Sequence, residues 1–192
     1  MSRLEAAIAA IDALHADDPE HVEVGGASVP AELDYARRMS AALERVIDDP
    51  SDALRLAVRA QHLQRWRIPR ADYPMTAPGY HAWRTAQSRA HAELAVETLR
   101  PLGFDEETLG RVSALVQKKR RTTDPEAQAL EDAACLVFLE TRLEAFAVDR
   151  DRAHVIDILK KTWAKMSFRG QAAAMAVPFG PAARALVEEA LA

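Results

Sequence analysis

The amino-acid sequence predicts an all-α protein, a single-domain helical bundle, on three observations. Apolar residues recur every three or four positions along most of the 192-residue chain, the spacing of a one-sided helix. Only seven glycines are present, too few for the many tight turns of an all-β design. A composition 49% hydrophobic, 28% charged and only 6% aromatic suits a helix-rich globular chain of this length with one core.

Each element follows in order. Residues 2–16 place Leu4, Ile8, Ile11 and Leu14 at helical spacing behind Ser2 as a cap. Residues 17–30, with Gly25-Gly26 after a short alternating stretch, read as a loop with room for at most a small hairpin. A second helix over about 30–46 buries Leu33, Met39, Leu43 and Val46, and Asp49-Pro50-Ser51-Asp52 ends it and caps a third over 53–67. Pro69, Pro74 and Pro78 make the next stretch an ordered loop. Helices at about 79–100 and 105–119 flank Pro101-Leu102-Gly103, and Thr123-Asp124-Pro125-Glu126 starts one reaching about 147. Two further helices, near 150–166 and 181–191, complete the chain. The expected division is an N-terminal helix and loop over 1–30, a core over 31–147 and C-terminal helices over 150–192.

The net charge of −4 argues against a nucleic-acid binder held by its overall field and moves the question to local charge. The single cysteine, Cys135, leaves no internal disulfide framework and fits a reducing compartment. No signal-peptide run or membrane-length apolar stretch is present, so the expectation is a cytoplasmic protein with no membrane partner. Neither a Walker loop nor a GxGxxG fingerprint occurs.

Polar groups on apolar faces mark a candidate site. In the nearly all-apolar stretch QALEDAACLVFLETRLEAF, Asp132 shares a face with Cys135, Leu136 and Leu139. Such a carboxylate needs a metal, a cation or several hydrogen-bond donors. His91 projects with Leu94, Ala95 and Leu99, and His62 sits at the edge of its helix. His62, His91 and Asp132 are therefore candidate ligands of a divalent transition metal, against the plainer reading of hydrogen-bonded core groups. His15, His21, His81 and His154 are expected at the surface, and Cys135 as an inert core thiol.

Arginine is the second theme. Between Arg55 and Arg70 the chain carries Arg59, Arg65 and Arg67 with no acid, and Arg84, Lys118, Lys119, Arg120, Arg121, Lys160, Lys161 and Lys165 follow on neighbouring segments. Guanidinium forks recognise phosphate bidentately, and Trp66 or Trp83 offers a stacking surface. An anionic small molecule held by Arg65, Arg67, Arg84 and Trp66 is the leading expectation. Nucleic acid on the same patch ranks below it.

The segments RAQHLQRWRIPRADYPM, YHAWRT, HAELA, LEDAACLVFLE and DILKKTWAKMS closely resemble the bacterial family catalogued as domain of unknown function 4202 (DUF4202), over nearly the whole chain. That resemblance implies no activity. A more distant likeness is to HD-domain phosphohydrolases, all-helical enzymes whose His and Asp side chains hold metal ions. It implies an HD-like core, with His62 as the histidine of the pair, Asp132 as the late aspartate and His91 near an additional polar position. Leu63 stands where the pair has its aspartate, and Tyr35, Arg37 and Arg38 occupy the helix expected to supply an earlier histidine. The expected function is metal-dependent hydrolysis of a phosphorylated small molecule or nucleotide, with Glu131 as base. The alternatives are a non-catalytic anion-binding module on the same scaffold and an RNA-associated protein.

Overall fold

The computed structural model describes residues 1–119 and 123–192, so the expected basic residues Arg120 and Arg121 lie outside the described residues. The first helix, α1 (Arg3–His15), opens with a capping box in which the Ser2 hydroxyl accepts from the Glu5 N–H and the Glu5 carboxylate from that of Ser2. Its buried edge ends at His15, which is wholly enclosed. This corrects the expected surface position. His15 Nε2 donates to the Arg59 carbonyl at 2.9 Å, while Arg59 grips Asp12, almost one turn earlier, with two bonds of 2.6 Å. The end of α1 is thereby pinned beneath the third helix.

The loop contains the small hairpin it had room for, β1 (His21–Val24) paired antiparallel with β2 (Ala27–Pro30). Gly25 and Gly26 turn it at φ 58° and 83°, a left-handed pair only glycine adopts cheaply. Then α2 (Ala31–Val46) buries Leu33, Met39, Leu43 and Val46, and α3 (Asp52–Arg59) starts on the Ser51 hydroxyl.

Here the structure departs from the expected helix over 53–67. The α3 helix stops at Arg59, and the chain continues through left-handed His62 and Gln64 into 3-10 turns at Arg65–Arg67 and Arg70–Asp72. The turn is held from outside: the Gln87 side-chain amide donates to the Arg65 carbonyl at 2.9 Å, and with Trp83 Nε1 it also caps the Ile68 carbonyl.

Both tethers come from α4 (Ala77–Leu99), and α5 (Glu106–Val116) packs beside it. The central helix α6 (Pro125–Thr141) contacts α2, α3 and α5. The expected helix to 147 breaks at Arg142, whose φ of −123° is not helical, and α7 (Leu143–Val148) follows. After α8 (Arg152–Lys165) comes a helix not foreseen, α9 (Phe168–Met175), before α10 (Pro181–Leu191). Its eight residues include Gly170, which weakens the helical signal. Gly170 is required because a Cβ there would lie 2.6 Å from Asp132 Cγ. The buried apolar cluster runs from Ala7 to Ala190, and α6 supplies its middle through Leu130, Leu136 and Val137. Among the described residues no helix is long and apolar enough to cross a membrane.

Candidate functional site

The break after α3 places His62 at the focus of a cleft. Its ring stacks on Tyr35 of α2, with centroids 4.3 Å apart and planes within 6°. One helical turn before Tyr35, Glu32 Oε2 lies 3.2 Å from His62 Nδ1. Arg65 Nη1 lies 3.1 Å from Nε2. A guanidinium can only donate, so Nε2 carries the lone pair and Nδ1–H donates to Glu32. Burial first, then Arg65, Arg142 and Lys118, holds the His62 pKa well below the usual imidazole range, and the ring is neutral. Burial raises the Glu32 pKa, opposed by Arg65 and Arg142.

Two adjoining hollows of about 290 and 310 Å³ share a wall of His62, Arg65, Trp83, Arg84 and Lys118. The larger is lined by five cations, Arg65, Arg84, Lys118, Arg142 and Lys165, against the single carboxylate of Glu131. Lys118 spends its charge on Glu131 at 2.9 Å. Among the described residues, Arg65, Arg84 and Arg142 form no ion pair with a carboxylate. They lie over rings instead: Arg65 is 4.7 Å from the Trp83 centroid, Arg142 is 5.2 Å from that of Tyr35, and Arg84 is 5.9 Å from that of Tyr80. Aromatic faces hold a cation without neutralising it. The His62 and Lys118 backbones are both left-handed, at φ 62° and 55°, a cost of about 1–2 kcal/mol each for residues with a Cβ. Lys118 is the residue just past the end of α5, where its N–H and that of Lys119 close on the Leu115 and Ala114 carbonyls.

The expected site residues divide. Arg65, Arg84 and Glu131 line the cleft with His62. Trp66 is half-buried and opens onto a neighbouring hollow with Asp18, Glu20 and Glu32, and Arg67 is exposed and outside both lobes. Trp83 is 93% buried beneath Arg65, which leaves it no open face for a stacked strand. His91 is inward, its ring centroid 6.1 Å from that of His62. Burial, then His62 and Arg65, pushes its pKa down to about 3.

Asp132 is enclosed but not in the cleft. One carboxylate oxygen accepts from the Ser167 N–H at 2.8 Å and from Gln128 Nε2 at 2.9 Å, and the other takes the Ser167 hydroxyl at 2.5 Å. Gly170 closes over it. Asp132 therefore fastens the start of α9 to α6. The expected ligand set does not fit a metal: Asp132 is engaged elsewhere, His62 Nε2 faces a guanidinium, and among the described residues no three His, Cys, Asp or Glu side chains gather around one point. Cys135 is buried, and desolvation pushes its thiol up to about 12, as expected of an inert core thiol.

Sequence reading passed over Glu32, Gln87 and Arg142. Glu32 had a usable signal, since it lies three residues before Tyr35 on one helical face. Arg142 had none, because it reaches the cleft only through the break between α6 and α7.

No curated protein and no solved structure matches this chain. The family model described as domain of unknown function (DUF4202) matches residues 5–187. The chain, with its arginine-lined cleft around His62, belongs to the DUF4202 family.

Proposed function

We propose that the cleft binds a phosphorylated small molecule through arginine, without a resident metal. The observation that carries this reading is the set Arg65, Arg84 and Arg142, turned toward one hollow without carboxylate partners in a protein of net charge −4. Cations gathered at this range repel one another, and a phosphate dianion removes that cost while accepting several charge-assisted hydrogen bonds. The test is thermal stabilisation by inorganic phosphate, pyrophosphate, sugar phosphates and nucleoside monophosphates beside their unphosphorylated counterparts. The expected result is stabilisation only by phosphorylated compounds, about 2.7 kcal/mol at a hundredfold excess over Kd. Equal response to both sets would remove the reading. Affinity that rises with RNA length and falls steeply with salt would instead favour nucleic acid.

A second reading, hydrolysis of the bound ester, is favoured by the Glu32–His62 pair. Glu32 holds Nδ1–H, and a phosphate that draws Arg65 away leaves the Nε2 lone pair facing the cleft. A water oxygen then bonds to phosphorus as one of its protons passes to Nε2. The phosphorus–oxygen ester bond breaks, the leaving oxygen takes the proton that Nε2 received, and His62 returns to its neutral form. The likeness to HD-domain phosphohydrolases belongs to this reading through His62 alone, since Asp132 serves α9.

A further inference from the structure

The larger hollow opens between two helices that pack on other partners, α4 on α1 and α5, and α6 on α2 and α9. Its cations therefore arrive from two sides. Arg84 comes from α4, Arg142 from the end of α6, and Arg65 from the 3-10 turn after α3. Arg65 and Arg84 also line the smaller hollow, whereas Arg142 lines only the larger. Each is seated on a ring of its own, Trp83, Tyr80 and Tyr35 for Arg65, Arg84 and Arg142, so the guanidinium groups are spread along the hollow. Charge then sets the size of the anion. Lys118 and Glu131 cancel, and Glu32 bonds His62 and lines the neighbouring hollow. Arg65, Arg84 and Arg142 bring three positive charges that no carboxylate answers among the described residues. One phosphate group carries at most about two negative charges, which leaves a guanidinium over. A second phosphoryl group joined to the first supplies the missing charge and lengthens the anion across the hollow.

We infer that the cleft takes a diphosphate group, two phosphoryl groups sharing one oxygen, with Arg65 and Arg84 on one and Arg142 on the other. The inference rests on the phosphate reading above and names the anion that the same site selects. The side chains it uses are open to the ligand: Arg84 and Arg142 are exposed and Arg65 is half-buried. Each phosphoryl group offers paired oxygens to the parallel N–H donors of a guanidinium fork. A cation seated over a ring keeps those in-plane donors for a ligand. The rings thereby set the positions of the forks without taking up their hydrogen bonds.

The test is calorimetric titration of the full chain at one ionic strength and in EDTA, which keeps a divalent metal from entering with the diphosphate. The probes are inorganic phosphate, pyrophosphate, its non-hydrolysable analogue methylenediphosphonate, citrate and fructose 1,6-bisphosphate. Pyrophosphate and its analogue are expected to bind at least about tenfold more tightly than phosphate, the effect of one further charge-assisted hydrogen bond. Citrate, a tricarboxylate without phosphorus, should bind no better than phosphate. In Arg142→Ala pyrophosphate should lose this advantage, and Arg142→Lys should recover part of it, with the melting temperature reporting that both variants are folded. The wild-type comparison stands even if a variant folds poorly. Equal binding of phosphate and pyrophosphate would overturn the diphosphate and leave the phosphate reading intact. Citrate matching pyrophosphate would reduce the site to a surplus of charge and overturn the inference as well. Fructose 1,6-bisphosphate binding more tightly than pyrophosphate would place the two phosphates on separate carbons, which also overturns it. Binding of none would remove the phosphate reading itself.

Discussion

Replacing Asp132 with alanine is expected to destabilise the protein by about 2–4 kcal/mol, the sum for two or more buried donors left without an acceptor. The carboxylate is 1% exposed and receives the backbone N–H and hydroxyl of Ser167 together with the Gln128 amide. Its loss frees the start of α9 and opens a void above Gly170. For a chain of this size the melting temperature should fall by roughly 5–15 °C. Asp132→Asn keeps one acceptor oxygen and should lose about half as much. Phosphate affinity of the folded variants should be unchanged. Wild-type stability of Asp132→Ala would contradict the fastening role, and loss of ligand affinity without loss of stability would return Asp132 to the site.

Acid is expected to lower the stability of the protein from about pH 6.5 downward. Burial depresses the pKa values of His15, His62 and His91 in the folded state. The unfolded chain binds their protons near the ordinary imidazole value of about 6.5. Stability is therefore full above that value and declines as pH falls below it toward the folded pKa. For His91, whose folded value is about 3, the loss between about pH 7 and about pH 5 is about 2 kcal/mol. His62 and His15 add losses of the same sign. The raised pKa of Glu32 acts in the opposite sense, one group against three. Urea unfolding across this pH range should show the slope, and His91→Leu should flatten it. Stability unchanged from neutral to about pH 5 would mean that the histidines protonate in the folded state.

Helices with a regular apolar face and a cap were legible in the sequence, because those signals are local. The Ser2, Ser51 and Asp124 caps sit next to the runs they start. The end of α3 was not legible. Gln87 and Trp83, about twenty residues away, hold the 65–68 turn through its carbonyls, and nothing local to that turn announces them. The same distance effect governs the site. An arginine surplus can be counted along the chain, and Arg65 and Arg84 do meet in the cleft. Arg67, two residues from Arg65, points elsewhere because the 3-10 turn separates them. Burial of Asp132 followed from the apolar helix around it. Its partner did not, since Ser167 begins a helix too short and too glycine-weakened to read in advance.

The central claim is that arginines without carboxylate partners hold phosphate in this cleft, and calorimetric titration of arginine variants with the tightest-binding phosphate ester tests it most directly. Arg84 and Arg142 are exposed and make no ion pair among the described residues, so alanine at either should leave the melting temperature nearly unchanged. Each substitution is expected to weaken binding by about 1.5–3 kcal/mol, roughly ten- to 150-fold, the range for a hydrogen bond to a charged group. Arg84→Lys should recover only part, because it restores charge without the planar fork. Arg67→Ala, outside the cleft, should bind as wild type. Affinity unaltered in Arg84→Ala and Arg142→Ala, or equally reduced in Arg67→Ala, would contradict an arginine-built phosphate site.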